Sequence, residues 1–399
     1  MSPLARFVPP AGTVLRARDI LGWLRDAARS QGELRRLEEA LEARYGVRHL
    51  FLVSSARAGM TILLRALAER SPGRHEVAMP GYTCYSVAAS AVRAGLRVRP
   101  LDILPDTLDI APDALANAEL GDAVALVGTN LYGIPSDLPH LEAVARARGT
   151  SFIDDAAQCL DGRVAGRWVG SFGDAGLFSF DKGKCITSIQ GGVIVCRDGD
   201  LAARLDRACA ALPTPAMAAV AVQGAKMLAY FVLLRPWLYW IANTTLRLGD
   251  TPFELDSPMT AYPESLAPLV RRQLARIEEI TAVRVAHAAR LRELLDGTPG
   301  VYLPTIREAR SVHPRFPIVF DDPARRDAVL RTLVRAGIGA TASYPRALRD
   351  VPDVQPHLAR DTKDTPGARR VAAGIVTLPT HAFVSRRDLE RMRDIIQSR

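Results

Sequence analysis

Two charged pairs stand where they could do chemistry together. Asp154-Asp155 closes a short apolar run at 151–153. Lys182 and Lys184 follow the next apolar run, at 175–180. A third run, 192–195, comes after Gly191, so the stretch reads strand, loop, strand, loop, strand. An amine at one strand end can form an imine with an aldehyde. A carboxylate at the neighbouring strand end can keep a ring nitrogen protonated, so that the ring accepts electrons from a carbanion. Amine and carboxylate so placed are what a pyridoxal phosphate site needs.

The flanking chain must position this stretch. Leu34, Leu37, Leu41 and Tyr45 keep helical spacing, and Gly46 stops that helix. His49–Val53 reads as a strand, 54–59 as a turn of small residues, and Met60, Leu63, Leu64 and Leu67 as the helix that follows. Strand, small-residue turn and helix can cradle a phosphate, because the first amides of a helix face the anion; many buried turns use small residues too. Further strands are expected at 77–79, 96–101 and 123–127, with helices at 85–94, 137–147 and 201–211. Strands alternating with helices in this rhythm imply an α/β layered domain with a mainly parallel sheet. A long, broken helix over 264–295 leads to a small α/β unit. That unit reads as strand 316–320, helix 324–336, strand 341–344, helix 367–373, strand 376–378 and helix 385–397. Residues 1–30 show no readable period.

Composition bounds the rest. The 399 residues carry 52 basic and 43 acidic side chains, a net charge of +9, which favours anionic partners or reflects arginine on solvated helix faces. No basic run is interleaved with aromatics, so nucleic acid is not expected as a partner. Cys84, Cys159, Cys185, Cys196 and Cys209 make no Cys-x-x-Cys pair, so no metal site is expected, and an odd, scattered set fits a reducing cytoplasm. The opening residues lack a signal-peptide core. Residues 216–248 are strongly apolar, yet Lys226, Arg235 and Pro236 interrupt them before a spanning length is reached. Trp237, Tyr239 and Trp240 beside Arg235 suit a headgroup layer. A helical hairpin touching the inner face of a membrane, a lid over the site and a subunit interface all fit this stretch.

Four segments, SSARAG, PGYTCYSVAASAVRAG, NLYGIPSDL, and IDDAAQ with GSFGDAGLFSFDKGK and QGGVIV, resemble those of the DegT-type sugar-nucleotide aminotransferases. The likeness covers most of 35–210 and 262–399. It implies fold type I of the pyridoxal phosphate enzymes: a large domain with a mainly parallel seven-stranded sheet between helices, and a smaller C-terminal α/β domain. The expected division is 1–212, an apolar insert at 213–256, and 257–399. On the resemblance Lys184 is the Schiff-base lysine and Asp155 the partner of the ring nitrogen. Gln158 would lie near the 3-hydroxyl, and Ser179, Ser55, Ala56 and Arg57 at the phosphate. Lys182 is the rival amine, which an extended loop would turn to the other face; Asp154 is the rival carboxylate.

Two departures stand out. The family's ring-stacking aromatic falls at Cys84, with Tyr82 or Tyr85 as substitutes. The Asn-Tyr-Arg segment donated by a second subunit has no clear counterpart; Tyr262-Pro263-Glu264-Ser265 occupies its neighbourhood. The resemblance implies a homodimer that passes an amino group from glutamate or glutamine to a nucleotide- or lipid-linked keto-sugar. Relatives that act as sugar dehydratases lack the lysine; a cofactor-binding sensor without turnover is the rival of another class.

Overall fold

The computed structural model describes residues 6–28, 31–241, 252–305 and 308–398. In chain order the strands are β1 (His49–Val53), β2 (Glu76–Pro80), β3 (Arg97–Leu101), β4 (Ala123–Thr129), β5 (Ser151–Asp155), the short pair β6 (Arg163–Val164) and β7 (Arg167–Trp168), then β8 (Ala175–Ser179) and β9 (Gly192–Cys196). Seven of them form one sheet in the order β1-β9-β8-β5-β4-β2-β3. Strands β3, β2, β4, β5 and β8 pair in parallel, whereas β9 is antiparallel to both β8 and β1. Every residue of β2, β4, β5, β8 and β9 is buried, which explains why these segments read as unbroken apolar runs.

Helices α1 (Ala17–Ala27), α2 (Glu33–Tyr45), α3 (Ala56–Arg70), α4 (Tyr85–Arg93), α5 (Pro112–Ala116), α6 (Leu138–Ala147), α7 (Gly199–Ala210) and α8 (Met217–Leu233) accompany this sheet. Leu63 and Leu67 of α3, Val87 of α4 and Leu201 of α7 fill one buried cluster; Leu37 and Leu41 of α2, Leu138 and Leu141 of α6 and Met227 of α8 fill another. Helix α3 begins sharply because Ser55 caps it, its Oγ accepting from the amide of Ala58 at 3.1 Å.

The expected long helix over 264–295 is two helices, α9 (Ala267–Leu274) and α10 (Ile277–Leu295), parted at Ala275 and Arg276. The C-terminal unit continues with β10 (Val301–Tyr302), β11 (Ala309–Arg310), β12 (Arg315–Phe320), α11 (Pro323–Arg335), α12 (Pro366–Gly374), β13 (Ile375–Pro379) and α13 (Arg386–Gln397). Phe316, Ile318, Val329, Leu333, Leu389 and Met392 form its core. Residues 341–344 do not make the expected strand: only Thr341 bridges, to Thr377.

Residues 7–15, unreadable by period, are largely buried. Val8 bridges to Ile338, and the amide of Phe7 donates to the carbonyl of Pro236 at 2.8 Å. The apolar stretch at 216–248 begins as α8; its second arm is described only as far as Ile241, and the remainder, with Leu248, lies outside the described residues. Tyr239 does not belong with the two tryptophans: it is fully buried with its ring 5.7 Å from that of Phe7, whereas Trp237 is 65% exposed and Trp240 43%. Among the described residues no helix is long and apolar enough to cross a membrane.

Candidate active site

The carboxyl ends of the parallel strands open on one cavity of about 460 Å³, the usual place for a ligand in such a sheet. Strand β4 delivers Thr129 and Asn130, β5 delivers Asp155, and β8 delivers Ser179 and the loop to Lys184. The start of α3 brings Ser55, Ala56 and Arg57, and the C-terminal unit adds Arg315, Ser343 and Tyr344.

The two aspartates divide their roles. Asp154 points away from the cavity. Its Oδ1 accepts from Asn130 Nδ2 at 2.8 Å, and its Oδ2 accepts from the amides of Gly170 at 2.5 Å and Phe172 at 3.3 Å. Burial pushes it up to about 7 against the pull of those donors. Asp155 lines the cavity, with Oδ1 accepting from the amide of Ala157 at 3.0 Å. Burial raises its pKa; the Ala157 amide and the charge of Lys184 oppose the rise. Asn130 fixes the corner between them, donating also to the carbonyl of Asp155 at 2.8 Å.

Lys182 and Lys184 both line the cavity, which corrects the expectation that an extended loop turns them to opposite faces. The loop is not extended, because Gly183 bends it with φ +84°. The distinction between the lysines is electrostatic: Asp155 feels the charge of Lys184, and buried Asp181 feels Lys184 more strongly than Lys182. The N-terminal segment holds this loop from behind. Thr13 Oγ1 donates to the carbonyl of Lys184 at 2.7 Å, and buried Arg284 donates to the same carbonyl at 3.4 Å.

Gln158 lies on the wall between two tyrosines. Its Oε1 accepts from the amide of Tyr132 at 3.2 Å, and its Nε2 donates to Tyr344 Oη at 3.2 Å. Cys84 lines the cavity with its Sγ 2.9 Å from Ser86 Oγ. Tyr85 and Tyr82 are not on the wall. Tyr85 Oη donates to the carbonyl of Arg346 at 3.0 Å, and Tyr82 Oη meets Tyr132 Oη at 3.1 Å. Among the described residues the aromatic side chains at the cavity are Tyr132, which lies in the NLYGIPSDL segment without a role assigned to it there, and Tyr344. The guanidinium of Arg57 is paired with Glu254, so its side chain tethers the 252–262 segment. Tyr262 is buried and donates to Ser188 Oγ at 2.7 Å.

Donors for a phosphate and a polar ring face this space. Helix-start amides have no partner within the helix, and those of Ala56 and Arg57 stand beside Ser179 on the wall. The buried hydroxyls of Thr83 and Thr129, also on the wall, have no hydrogen-bond partner among the described residues. Gly192 lets β9 press against the main chain of Ser55 and Ala56 at the start of α3. This donor set fits pyridoxal phosphate.

The mainly parallel seven-stranded sheet between helices, with a smaller C-terminal unit, is the fold type I architecture of the pyridoxal-phosphate-dependent transferases. The model of the DegT/DnrJ/EryC1/StrS aminotransferase family matches residues 19–229 and 257–397, and the chain belongs to that family. The chain is similar to protein MosB of Rhizobium meliloti, 34% identical over 185 residues, which are 46% of this chain and 36% of MosB. It is also similar to 3-amino-5-hydroxybenzoate synthase of Amycolatopsis mediterranei (strain S699), 26% identical over 323 residues, 78% of this chain and 74% of the synthase. The solved structure of DesI, determined in the presence of its TDP-sugar product, superposes with a TM-score of 0.76 at 26% identity, covering 98% of this chain and 92% of that one.

Proposed function

We propose that this chain is a pyridoxal-phosphate-dependent aminotransferase that moves an amino group from glutamate or glutamine to a keto group on a sugar carried by a nucleotide or a lipid, in polysaccharide or glycoconjugate biosynthesis. The observation that carries the reading is Lys184 and Asp155 facing one cavity, with the charge of the first acting on the second. The family supports amino transfer, and DesI, with its TDP-sugar product, supports a sugar acceptor. We place the active site in a cytoplasmic homodimer with a large domain at 1–212, the insert at 213–256 and a small domain at 257–399.

Once bound, the cofactor supplies a ring that takes up negative charge beside the transferred nitrogen. Lys184 Nζ would hold the cofactor's aldehyde carbon and, once displaced by the incoming amine, would take and return the proton at the reacting carbon. Asp155 keeps the ring nitrogen protonated. Ser179, Ser55 and the amides of Ala56 and Arg57 would hold the phosphate. Gln158, held between Tyr132 and Tyr344, would orient the 3-hydroxyl. Cys84, on the cavity wall, would border the ring.

The lysine assignment tests the reading. Lys184→Ala removes the visible absorbance of the protein-bound aldehyde, the borohydride-trapped adduct and amino transfer; Lys182→Ala keeps all three. A Lys184→Ala protein that still transfers an amino group to a nucleotide-linked keto-sugar overturns the mechanism.

A further inference from the structure

Helix α8 carries its polar contacts inward and its apolar side chains outward. On the inner side Gln223 Nε2 donates to the carbonyl of Ser188 at 3.2 Å, Tyr230 Oη accepts from the amide of Thr13 at 2.8 Å, and Met227 is fully buried. On the outer side Ala218, Val222, Ala225, Leu228 and Val232 recur at intervals of three and four and are all exposed. The outward face of a globular helix ordinarily carries charge; here Lys226 is the single charged residue in 17. The chain beyond adds exposed Trp237, Trp240 and Ile241, beside Arg235, whose guanidinium lies 4.8 Å from the ring centroid of Phe231. From Asp206 to Asp250 the sequence has no intervening carboxylate, and its charged residues there are all Lys or Arg.

We propose that this face docks on an anionic phospholipid bilayer, with α8 lying in the headgroup layer. A helix of this kind buries its apolar side at the acyl boundary, tryptophans settle at the interface, and neighbouring cations meet the lipid phosphates. The acid-free sequence gives the charge complementarity. It also argues against a second copy as the occupant. A two-fold contact that lays this stretch on itself would bring Lys226 and Arg235 against a segment with no carboxylate between Asp206 and Asp250. The face lies on the bilayer and does not enter as a span. The other edge of α8 lines the cavity through Ala219, Val220 and Gln223, so a keto-sugar held at the bilayer would meet the mouth of the site. That last step rests on the proposed amino transfer; the docking does not.

Flotation of the full chain, loaded with pyridoxal phosphate, decides the matter. Vesicles of phosphatidylglycerol and phosphatidylcholine are compared with phosphatidylcholine alone, at low salt and at about 1 M salt, where the Debye length is only ~3 Å. The wild type floats with the anionic vesicles, its tryptophan emission shifts to the blue, and binding falls at least about ten-fold at high salt. Val222→Glu with Leu228→Glu, and separately Trp237→Ser with Trp240→Ser, reduce flotation about ten-fold, a change of ~1.4 kcal/mol. Both variants keep the visible absorbance of the bound cofactor and the mass seen by light scattering. A wild type that stays in the soluble fraction with every vesicle overturns the proposal. So do variants that turn a dimer into monomers, which would make this face a contact between copies. Transfer to a soluble nucleotide-linked keto-sugar, assayed in parallel, reports the chemistry separately: if flotation fails and transfer persists, only the docking falls.

Discussion

Gly192→Ala should cripple cofactor binding without touching a reactive group. Gly192 opens β9, opposite Val53 on one side and Ser179 on the other. A Cβ there would stand 2.5 Å from the amide nitrogen of Ala56 and 2.7 Å from both Ala56 Cα and the carbonyl carbon of Ser55. Carbon contacts ordinarily settle at about 3.5–4.0 Å, so the start of α3 must retreat by roughly 1 Å. All three atoms are main chain, and no side-chain rotation can relieve the contact. Overpacking of this kind costs about 1–3 kcal/mol of stability. The larger effect falls on the anion site, because the amides of Ala56 and Arg57 move with the helix start. Losing one hydrogen bond to a charged group, about 1.5–3 kcal/mol, weakens pyridoxal phosphate binding roughly ten- to a hundred-fold. Titration of the cofactor-free variant, followed by visible absorbance, measures that change, and a melt of the same protein separates it from loss of fold. A folded variant that binds pyridoxal phosphate within about two-fold of the parent would refute the placement of the phosphate at this helix start.

Asp155→Asn should keep the cofactor bound while lowering kcat by orders of magnitude, since the ring nitrogen would lose the charge partner proposed for it at the moment charge develops; near-normal turnover would move the role to another group. Asp154 gives a pH signature: its pKa is raised from 3.8 to about 7, so the folded state holds the extra proton. Its contribution is fully present below about pH 4 and is lost as pH rises towards 7. Asp154→Asn removes that slope from a plot of melting temperature against pH, and it also lowers stability at neutral pH by about 1.5–3 kcal/mol, because three N–H donors converge on an acceptor that Asn supplies only in half. An unchanged slope would show that the titration belongs elsewhere.

The strand ends were readable because a parallel sheet buries both faces, and its apolar runs stop where the site begins; Asp155 and Ser179 sit at such stops. The loop from Ser179 to Lys184 was not readable to the same depth, since the positive φ of Gly183 rather than any period decides which way both lysines face. The aromatic wall was hidden for another reason. Tyr132 and Tyr344 come from separate units and meet through Gln158, a contact that no window of sequence contains. Arg57 could be placed at the helix start, but its pairing with Glu254 depends on how 252–262 returns over α3. Residues 7–15 carry neither helical nor strand spacing because their contacts are individual and distant.

Those distant contacts bear on the order in which the enzyme can be finished. Thr13 needs the carbonyl of Lys184, the hydroxyl of Tyr230 and the guanidinium of Arg284, while Val8 needs Ile338. Each partner is synthesised long after the segment itself. During translation the sheet of β1 to β9 can assemble while residues 7–15 wait unpaired, and the lysine loop acquires its rear support only when the C-terminal unit has emerged. The seven-stranded layer can therefore precede the working site by some 150 residues of synthesis, roughly 8–30 s at ~5–20 residues per second. A nascent chain halted before residue 338 would hold Lys184 in place without its full clamp, and cofactor captured at that stage would be held less firmly than by the completed chain.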